Sequence, residues 1–426
     1  MFQKLTLEKW RQFDNIDISF HPHLTILTGA NGAGKTTILN ILAHNLGWNP
    51  NFVSSYTKYG QNDILHYDNS INYSLEELEA MLSNNQIRNK SVKIGEITYS
   101  DNNIGHIKVP ENVDATYQLT IEHKQNFPGL FINSHRPTFP YKALKAIPST
   151  TTNRDAIFSK YYQFARTFVF DEYRDREKMS STGLIKETLA SLAMFGYGNK
   201  AVSANDEMKK LFEGYEAILR IVLPPSLGFN NIKVSAPEVL LCTKSGDFPI
   251  DAVSGGISSI IDITWQIFMY ADTTENYIVV LDEPENHLHP ELQKTLLSNL
   301  ITAFPNVQFI VATHNPFMIS AVKDSNVYVL NYNEHHKVYS TKLDYINRAG
   351  TSDAILREVL GIESSLPFWA SEILNNIIID YTKKEFTQEN LKLLRAELSE
   401  IGLEQFIPET IAQIASEVTN DKNSEN

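Results

Sequence analysis

The chain has 426 residues, of which 42% are hydrophobic, and a formal net charge of −13 at pH 7. This length and composition allow a sizeable core in one large domain or in two to three smaller ones. The acidic balance disfavours a general polyanion binder, and the single cysteine, Cys242, excludes a disulfide framework and a cysteine-rich zinc site. The N-terminus lacks the apolar segment of a secretory signal and no apolar run is long enough to span a membrane, so we expect a cytoplasmic protein without membrane contact.

The first 27 residues predict antiparallel strands. Apolar residues cluster or alternate with polar ones over Phe2–Lys9 and Ile16–Phe20, and a more apolar run occupies Leu24–Leu27. The loop GANGAGKT follows, from Gly29 to Thr36, and a helical pattern begins at its end. This loop fits G-x-x-x-x-G-K-[ST] at every fixed position and has the strand before it and the helix after it that the motif requires.

A loop of this kind binds phosphate groups. Its glycines let backbone N–H groups turn onto phosphate oxygens, and the following helix adds the positive end of its dipole. We expect Lys35 to reach the β- and γ-phosphates of a nucleotide and the Thr36 hydroxyl to hold Mg²⁺. A glycine-rich surface turn is the alternative, which the strand and helix disfavour. The predicted nucleotide-binding residues of this stretch are Gly29, Asn31, Gly32, Gly34, Lys35, Thr36 and Thr37.

The middle of the chain predicts a mixed section and then helices. Residues 49–75 show little periodicity and are predicted to be rich in loops. No helical segment carries heptads over several turns, which excludes a long coiled-coil arm. The other predicted elements are a short helix at Leu75–Leu82, strands at Val92–Tyr99, His106–Val109, Thr116–Glu122 and Gly129–Asn133, and helices at about Arg154–Phe168, Thr182–Phe195 and Ala204–Val222.

Beyond Pro224–Pro225, strands alternate with helices, which indicates a largely parallel sheet. The apolar strand Tyr277–Leu281 ends in Asp282 and Glu283. Because ligands bind at the carboxyl ends of parallel strands, we expect Asp282 to hold Mg²⁺, directly or through water, and Glu283 to polarise the water that attacks the γ-phosphate. Taken alone, an acidic pair at the end of a strand more often lies in a solvated loop. The presence of the phosphate-binding loop favours the catalytic interpretation instead.

Two further short motifs belong to this section. The apolar strand Gln308–Ala312 leads to Thr313 and His314. A lone histidine is more often structural, but its position beside the carboxylates predicts that His314 senses the γ-phosphate and helps to position the water. The Ser254–Gly255–Gly256 segment precedes a predicted helix that runs to Tyr270, so it suits phosphate oxygens, with ordinary N-capping by Ser254 as the alternative.

In this order, GANGAGKT, SGG, VVLDEP and ATH resemble the Walker A loop, signature motif, Walker B strand and switch histidine of ABC-type ATPases. The resemblance implies an α/β nucleotide-binding domain with N-terminal antiparallel strands, a central, largely parallel sheet, an inserted helical lobe and a short helical C-terminal region. It implies ATP and Mg²⁺ as cofactors, and a homodimer that sandwiches ATP. The implied catalytic residues are Lys35, the general base Glu283 and the switch His314, while Ser254, Gly255 and Gly256 complete the site of the opposite protomer.

The Walker B segment continues as DEPENHLHPELQ, with Glu285 and His289 where transporter ATPases usually have threonine and aspartate. This is similar to the RecF/SMC-like branch and to the OLD-like ATPases called AAA15 or AAA21, in which an arginine at the position of Arg11 often contacts nucleotide. His287 and His289 suggest a metal pair, but a third ligand is missing. His289 before Pro290 favours the start of a helix.

After the predicted sheet we find neither the D-x-D cluster of a Toprim nuclease nor the His/Asn cluster of an HNH nuclease, so we expect an ATPase that is not itself a nuclease. LTILTGANGAGKTTILNIL, followed by Gly47–Trp48, resembles the ATPase subunit of PARIS anti-phage systems, and DAILREVLGIESS is similar to the Septu and OLD relatives. The resemblance implies a sensor and scaffold, with a higher homo-oligomer, that controls a separate Toprim or HNH nuclease and responds to a phage protein.

Two other functions stay open. A RecF-type DNA-repair ATPase is disfavoured by the acidic charge and the missing arm, so DNA binding is left undecided, and a transporter ATPase subunit is disfavoured by DEPENHLHP. Arg136 either links the sheet to the helical lobe or is a surface arginine, and we leave it outside the predicted site. The predicted organisation is an N-terminal part of the ATPase domain over 1–148, the helical lobe over 149–225, the C-terminal part of the ATPase domain over 226–345, a helical region over 346–415 and a disordered tail over 416–426.

Overall fold

The computed structural model describes most of the chain. It separates into two compact units, Met1–Leu360 and Gly361–Asn426. The predicted helix at 75–82 and the predicted tail at 416–426 lie outside the described residues. The described residues are 1–59, 64–68, 71, 91–111, 113–136, 139–149, 154–170, 180–270, 276–344, 355–359, 368–384, 387–408 and 410–415.

Strands and helices of the first unit follow the alternation expected from the sequence. The strands are β1 (Phe2–Trp10), β2 (Phe13–Ser19), β3 (Leu24–Gly29), β4 (Phe52–Val53), β5 (Ser55–Tyr59), β6 (Ile64–Asp68), β7 (Ser91–Tyr99), β8 (Ile104–Pro110), β9 (Thr116–Tyr117), β10 (Thr120–Glu122), β11 (Gly129–Ile132), β12 (Phe229–Ser235), β13 (Glu238–Thr243), β14 (Gly246–Pro249), β15 (Tyr277–Asp282), β16 (Val307–Ala312), β17 (Asn326–Tyr332) and β18 (Val338–Lys342). The helices are α1 (Lys35–Asn45), α2 (Arg154–Phe170), α3 (Ser181–Tyr197), α4 (Asp206–Val222), α5 (Gly255–Tyr270), α6 (Pro290–Ala303) and α7 (Pro316–Ile319), with a π-helical turn at Ile355–Val359.

An 11-stranded sheet is the frame of this unit, in the order β10-β8-β7-β1-β2-β18-β17-β3-β16-β15-β11. The strands from β10 to β2 pair antiparallel. The strands β17, β3, β16, β15 and β11 are parallel, so their carboxyl ends lie at one edge of the sheet. The predicted α/β fold class, with N-terminal antiparallel strands, a central, largely parallel sheet and inserted helices, is confirmed.

The central strands are buried on both faces, which explains why they are continuous apolar runs. Every residue of β15 and of β16 is buried. Alternate side chains enter two cores, since Val279 packs with α5, α6 and the helices α2–α4, whereas Val280 packs with α1 and the antiparallel strands. The loops at the ends of these strands are therefore held by a rigid scaffold.

The inserted helices begin where the sequence places capping residues. The Ser180 side chain accepts a hydrogen bond from the N–H of Gly183 at the start of α3, and Asn205 does so from Glu207 and Met208 at the start of α4. The buried residues Met208, Phe212, Tyr215, Leu219 and Val222 lie on one face of α4. This face packs in the same core as α5.

Several strands differ from the prediction. Residues 49–75, predicted as loops, contain β4, β5 and β6, because these short segments pair with partner strands although they lack hydrophobic alternation. The predicted single strand Thr116–Glu122 is two strands, β9 and β10, which pair with β4 and β8 respectively. The strands β14 and β18 were not predicted.

The second unit contains α8 (Phe368–Thr382), α9 (Gln388–Glu400) and a short 3₁₀ turn at Glu404–Phe406. Its small core includes Ile377, Leu394 and Leu398. The first unit runs to Leu360, and Ile355 is buried in its core. Within the described residues, no helix has both the length and the apolar character needed to cross a membrane.

Candidate functional site

The predicted phosphate-binding loop lies between β3 and α1, at the carboxyl edge of the sheet. Gly29 and Gly34 adopt φ angles of 134° and 94°, in the region that favours glycine. A Cβ at Gly29 would lie 2.5 Å from the carbonyl oxygen of Leu330, and one at Gly34 would lie 2.5 Å from the ring of Phe13. The glycines are thus required by the backbone conformation and by close packing. Asn31, Gly32 and Thr36 are exposed on the loop.

Lys35 is the first residue of α1, and its side chain is 8% exposed. Its Nζ donates to the carbonyl oxygens of Gly29 (2.8 Å) and Ala30 (3.1 Å), so the ammonium group lies inside the loop. Burial lowers the pKa of Lys35, whereas the nearby carboxylates of Glu283 and Asp282 raise it. The loop therefore holds a cation ready for an anionic ligand.

Thr36 and Asp282 meet at this edge. The Thr36 hydroxyl donates to Oδ2 of Asp282 over 3.0 Å. The Asp282 carboxyl is buried at the end of β15, and burial, together with Glu283, raises its pKa to about 6, although Thr36 and Lys35 act in the opposite direction. A hydroxyl and a carboxylate side by side are oxygen donors of the type that Mg²⁺ prefers.

Both carboxylate oxygens of Glu283 have a partner. Oε1 lies 3.1 Å from Nδ1 of His314, and Oε2 accepts a hydrogen bond from Nδ2 of Asn286 over 3.2 Å. Glu283 follows β15 and His314 follows the adjacent parallel strand β16, which explains their proximity. The predicted base and the predicted switch residue are therefore neighbours. Sequence reasoning did not single out Asn286, although it stands in the Walker B continuation DEPEN.

Glu285 is a second residue to which no role was assigned. It is 4% exposed, and its Oε1 accepts a hydrogen bond from the Thr313 hydroxyl. Burial raises its pKa. Its contact with Thr313 connects the turn after β15 to the turn after β16. The departure from the transporter pattern at this position was the sequence feature that pointed to it.

Arg136 lies inside the site region, not on the surface. Its guanidinium donates to Ser259 Oγ (3.1 Å) and to the backbone carbonyls of Asn133 (3.4 Å), Glu283 (3.4 Å), Pro284 (3.1 Å) and Asn286 (3.3 Å). These contacts agree with the alternative in which Arg136 links the sheet to the helical lobe. Ser259 lies on α5, and α5 packs with the inserted helices.

The Ser254–Gly256 segment stands apart from the phosphate-binding loop. Helix α5 begins at Gly255, and the Ser254 side chain accepts a hydrogen bond from the N–H of Ile257 over 3.5 Å, so N-capping is present. Ser254 and Gly255 are exposed, and Gly256 packs against His287 and Leu288. Among the residues that the structure describes, no hydrogen bond joins this segment to residues 29–36 of the same chain.

Arg11 occupies the turn between β1 and β2, with a φ angle of 55°. Its guanidinium lies over the rings of Trp10 and Phe52, at 5.2 Å and 5.5 Å, and donates to the carbonyl of Val53 and to the hydroxyl of Tyr117. Arg11 thus lies in an aromatic cluster, whereas the amide of the next residue, Gln12, approaches Gly34. Nucleotide contact by Arg11 stays a prediction.

His287 and His289 lie in the segment between β15 and α6. Among the described residues, no group of three or more His, Cys, Asp or Glu side chains is placed to hold a metal ion. The side chain of His289 caps α6, accepting from the N–H of Glu291, and Pro290 is the first helical residue. The predicted helix start is therefore present.

Comparison with known protein families identifies this architecture. A family model described as an AAA domain matches residues 4–222, which is just over half of the chain. The chain belongs to the AAA-domain family. A second model, "AAA domain, putative AbiEii toxin, Type IV TA system", matches residues 198–320, and it is the AAA21 family that the Walker B segment resembled. Together the two matches span the AAA domain from β1 to α7.

Individual relatives of this AAA domain are more distant. "Septu protein PtuA" of Bacillus mycoides (strain KBAB4) is 28% identical over 159 residues, 35% of this chain, and the match spans only 22% of that protein's length. "Retron Vc95 probable ATPase" of Vibrio cholerae serotype O1 biovar El Tor is 21% identical, over 77% of this chain and 73% of that protein. The solved "SMC head domain from Thermotoga maritima" has a TM-score of 0.41 and 12% identity, and the match covers 80% of this chain and 99% of that one.

Proposed function

We propose that this AAA domain binds and hydrolyses ATP with Mg²⁺ in the manner of ABC-type ATPases. One observation carries the proposal: Lys35, the Thr36–Asp282 pair and the Glu283–His314 pair lie together at the carboxyl edge of one parallel sheet. Such an edge is where α/β proteins bind nucleotides. Lys35 then exchanges its contacts with Gly29 and Ala30 for phosphate oxygens.

The residues present fit a magnesium ion. Thr36 and Asp282 supply a hydroxyl and a carboxylate within 3.0 Å of each other, and phosphate oxygens of the nucleotide complete such a set of ligands. When bound, Mg²⁺ neutralises charge on the phosphates. A neighbouring cation also favours the charged form of Asp282, whose pKa burial raises to about 6.

Glu283 is proposed as the general base. Its carboxylate accepts a proton from the attacking water, so the water oxygen gains electron density as it approaches the γ-phosphorus. Asn286 and His314 hold the two carboxylate oxygens and thereby fix the direction of the group. His314, which is half exposed, is then placed to contact the γ-phosphate as well.

We further propose that the active site is shared between two protomers. The exposed Ser254–Gly255 pair starts α5, where N–H groups and the helix dipole suit phosphate oxygens. Because this pair makes no hydrogen bond to residues 29–36 of its own chain among the described residues, a second copy is the partner whose nucleotide it contacts. The ATP-sandwich dimer implied by the resemblance to ABC-type ATPases has this arrangement.

At the level of the cell, we propose an ATPase subunit of an anti-phage defence system. The Septu and retron relatives support this role. In this proposal the protein forms a higher homo-oligomer, controls a separate Toprim or HNH nuclease and responds to a phage protein. The PARIS-like assignment is part of the same proposal. We propose that the chain itself is not a nuclease.

Hydrolysis is tested with Glu283→Gln. We expect the variant to bind ATP while its hydrolysis rate falls by roughly a hundredfold or more, because the proton acceptor is lost. Glu291→Gln, an exposed acidic residue on α6, is the matched control and should hydrolyse ATP like the wild type. Hydrolysis by Glu283→Gln at the wild-type rate would exclude Glu283 as the base.

The partner is tested by co-purification of the tagged protein expressed with its native neighbouring genes, followed by mass determination of the assembly. A large complex that contains a nuclease supports the defence role, and the nuclease type distinguishes a PARIS-like from a Septu-like system. A dimer without a partner that shifts duplex DNA in a salt-dependent way would favour a DNA-repair ATPase instead.

A further inference from the structure

Arg136 joins three parts of the site. It follows β11, and its guanidinium reaches the backbone of the 283–286 turn and the hydroxyl of Ser259 on α5. Ser259 lies one turn beyond Gly255, at the start of the helix that carries the signature segment. The Ser259 hydroxyl also lies 3.5 Å from the carbonyl oxygen of Asn286, so the turn and the helix touch at this point.

The acceptors of Arg136 are uncharged. Four are backbone carbonyls and one is a hydroxyl, and only the planar guanidinium has enough fixed donors to reach them together. Its positive charge is balanced at longer range by the carboxylates of Asp262, Glu285, Asp282 and Glu283, which raise its pKa against the effect of burial. The contacts of Arg136 thus fix backbone atoms without forming an ion pair with the proposed base.

The turn that Arg136 holds has an unfavourable backbone conformation. Glu283 and His287 have φ angles of 44° and 71°, in the left-handed region that residues with a Cβ rarely adopt. The N–H of Glu283 donates to the carbonyl of Ala312 over 2.9 Å, and the N–H of Asn286 donates to the carbonyl of Glu283 over 3.2 Å. The Thr313 hydroxyl donates to the Glu285 carboxylate in the same turn. The bonds from Arg136 to the carbonyls of Glu283 and Pro284 add to these contacts at the residue that carries the proposed base.

Helix α5 is in turn connected to the inserted helices. Asp262, one turn beyond Ser259, is 1% exposed and accepts hydrogen bonds from the Tyr161 hydroxyl on α2 and from Gln266 (3.0 Å). Hydrogen bonds therefore connect α5 to α2 at Asp262 and to Arg136 and the 283–286 turn at Ser259, one turn earlier on the same helix.

We propose that Arg136 is a positioning residue for ATP hydrolysis: it holds the 283–286 turn against the start of α5, so that the placement of Glu283 depends on the helix that carries Ser254–Gly256. This inference rests on the proposed ATPase function. It predicts that loss of the guanidinium slows the chemical step and leaves ATP binding intact, because Arg136 makes no hydrogen bond to residues 29–36 among the described residues.

The test compares Arg136→Ala with the wild type in steady-state hydrolysis and in ATP binding. We expect kcat to fall roughly tenfold to a hundredfold, as for a misplaced catalytic group, with unchanged ATP affinity. Low millimolar guanidinium should restore part of the lost kcat, whereas methylammonium at the same concentration should not, because it lacks the planar set of donors. Arg220→Ala is the matched control, since Arg220 bonds to Asn230 and Glu216 away from the turn, and guanidinium should not change its kcat.

Three results would overturn the inference: an unchanged kcat in Arg136→Ala, a fall in ATP affinity as large as the fall in kcat, or a loss of kcat that guanidinium does not reverse. If Arg136→Ala does not fold, Arg136→Lys is compared instead; it keeps the charge but has fewer donors, so kcat should still fall at unchanged ATP affinity. A wild-type protein without hydrolysis would refute the proposed function. If the wild type hydrolyses ATP, Glu283→Gln does not, and Arg136→Ala is fully active, then only this inference is refuted and the proposed function stands.

Discussion

Oγ1 of Thr36 and Oδ2 of Asp282 lie 3.0 Å apart although 246 positions separate the two residues in the chain. The contact exists because β3 and β15 both flank β16 in parallel, which brings the start of α1 and the end of β15 to the same edge. The two residues proposed to hold Mg²⁺ are thus positioned by sheet topology. The following predictions test what this edge of the sheet does.

Replacement of Lys35 by alanine should weaken ATP binding roughly tenfold to a hundredfold, which corresponds to the loss of about 1.5–3 kcal/mol for a hydrogen bond to a charged group. The ammonium group is held inside the loop by the carbonyls of Gly29 and Ala30, and the variant lacks this charge. Binding of a fluorescent ATP analogue measures the effect. Lys200→Ala, at an exposed lysine, should bind like the wild type, and equal affinities of the two variants would contradict the role of Lys35.

Gly29→Ala should lower both stability and nucleotide binding. The new Cβ would lie 2.5 Å from the carbonyl oxygen of Leu330, at a φ angle of 134°. Gly246→Ala is the matched control, because Gly246 has a similar φ angle of 132° but open space around its Cβ position. The difference in unfolding free energy between the two variants should be about 1–3 kcal/mol, the usual cost of overpacking. Chemical denaturation measures it, and equal stabilities would show that the clash is relieved.

His314→Ala should reduce kcat roughly tenfold to a hundredfold, because the imidazole contacts Glu283 Oε1 at 3.1 Å. His335→Ala, at an exposed histidine in the β17–β18 turn, serves as the control. Hydrolysis by His314→Ala at the wild-type rate would mean that the contact with Glu283 has no catalytic role.

The buried Asp262 should make stability depend on pH. Burial raises its pKa to about 6 from an ordinary 3.8, although Tyr161, Arg136 and Gln266 act in the opposite direction. As the pH falls from 7 to 5, the folded state takes up a proton at Asp262 before the unfolded state does. The contribution of Asp262 to the unfolding free energy therefore increases by about 1 kcal/mol as the pH falls from 7 to 5.

Since other groups titrate in the same range, the measurable quantity is the difference in unfolding free energy between the wild type and Asp262→Asn at each pH. We expect the unfolding free energy of the wild type to increase relative to that of the variant as the pH falls from 7 to 5. A difference that stays constant, or that shrinks, would show that the pKa of Asp262 is not raised in the folded protein.

Local patterns were sufficient to predict the elements that carry the proposed site. The phosphate-binding loop is a contiguous motif, and Tyr277–Leu281 and Gln308–Ala312 are apolar runs because both faces of these strands are buried. The alternation of these strands with helices along the chain predicted a largely parallel sheet. The fold class could therefore be predicted from segments that each carry their own signal.

The features that sequence analysis missed depend on distant partners. β18 (Val338–Lys342) lies between β2 and β17 and connects the antiparallel and parallel parts of the sheet, a position set by pairing with residues such as Phe13. Likewise, Arg136 reaches the carbonyl of Glu283 because β11 pairs with β15, whereas Asn286 contacts Glu283 within the same turn. An arginine and an asparagine in loops have no periodicity that reveals such contacts.

The most direct test of the shared active site uses two variants in one complex. Lys35→Ala and Ser254→Arg are co-expressed with different tags, and complexes that carry both tags are isolated. If each site combines the phosphate-binding loop of one protomer with the Ser254–Gly256 segment of the other, each mixed dimer has one intact site. It should then hydrolyse ATP at about half the wild-type rate, at an ATP concentration at which each variant alone hydrolyses little ATP. Mixed complexes as inactive as the separate variants would contradict the account.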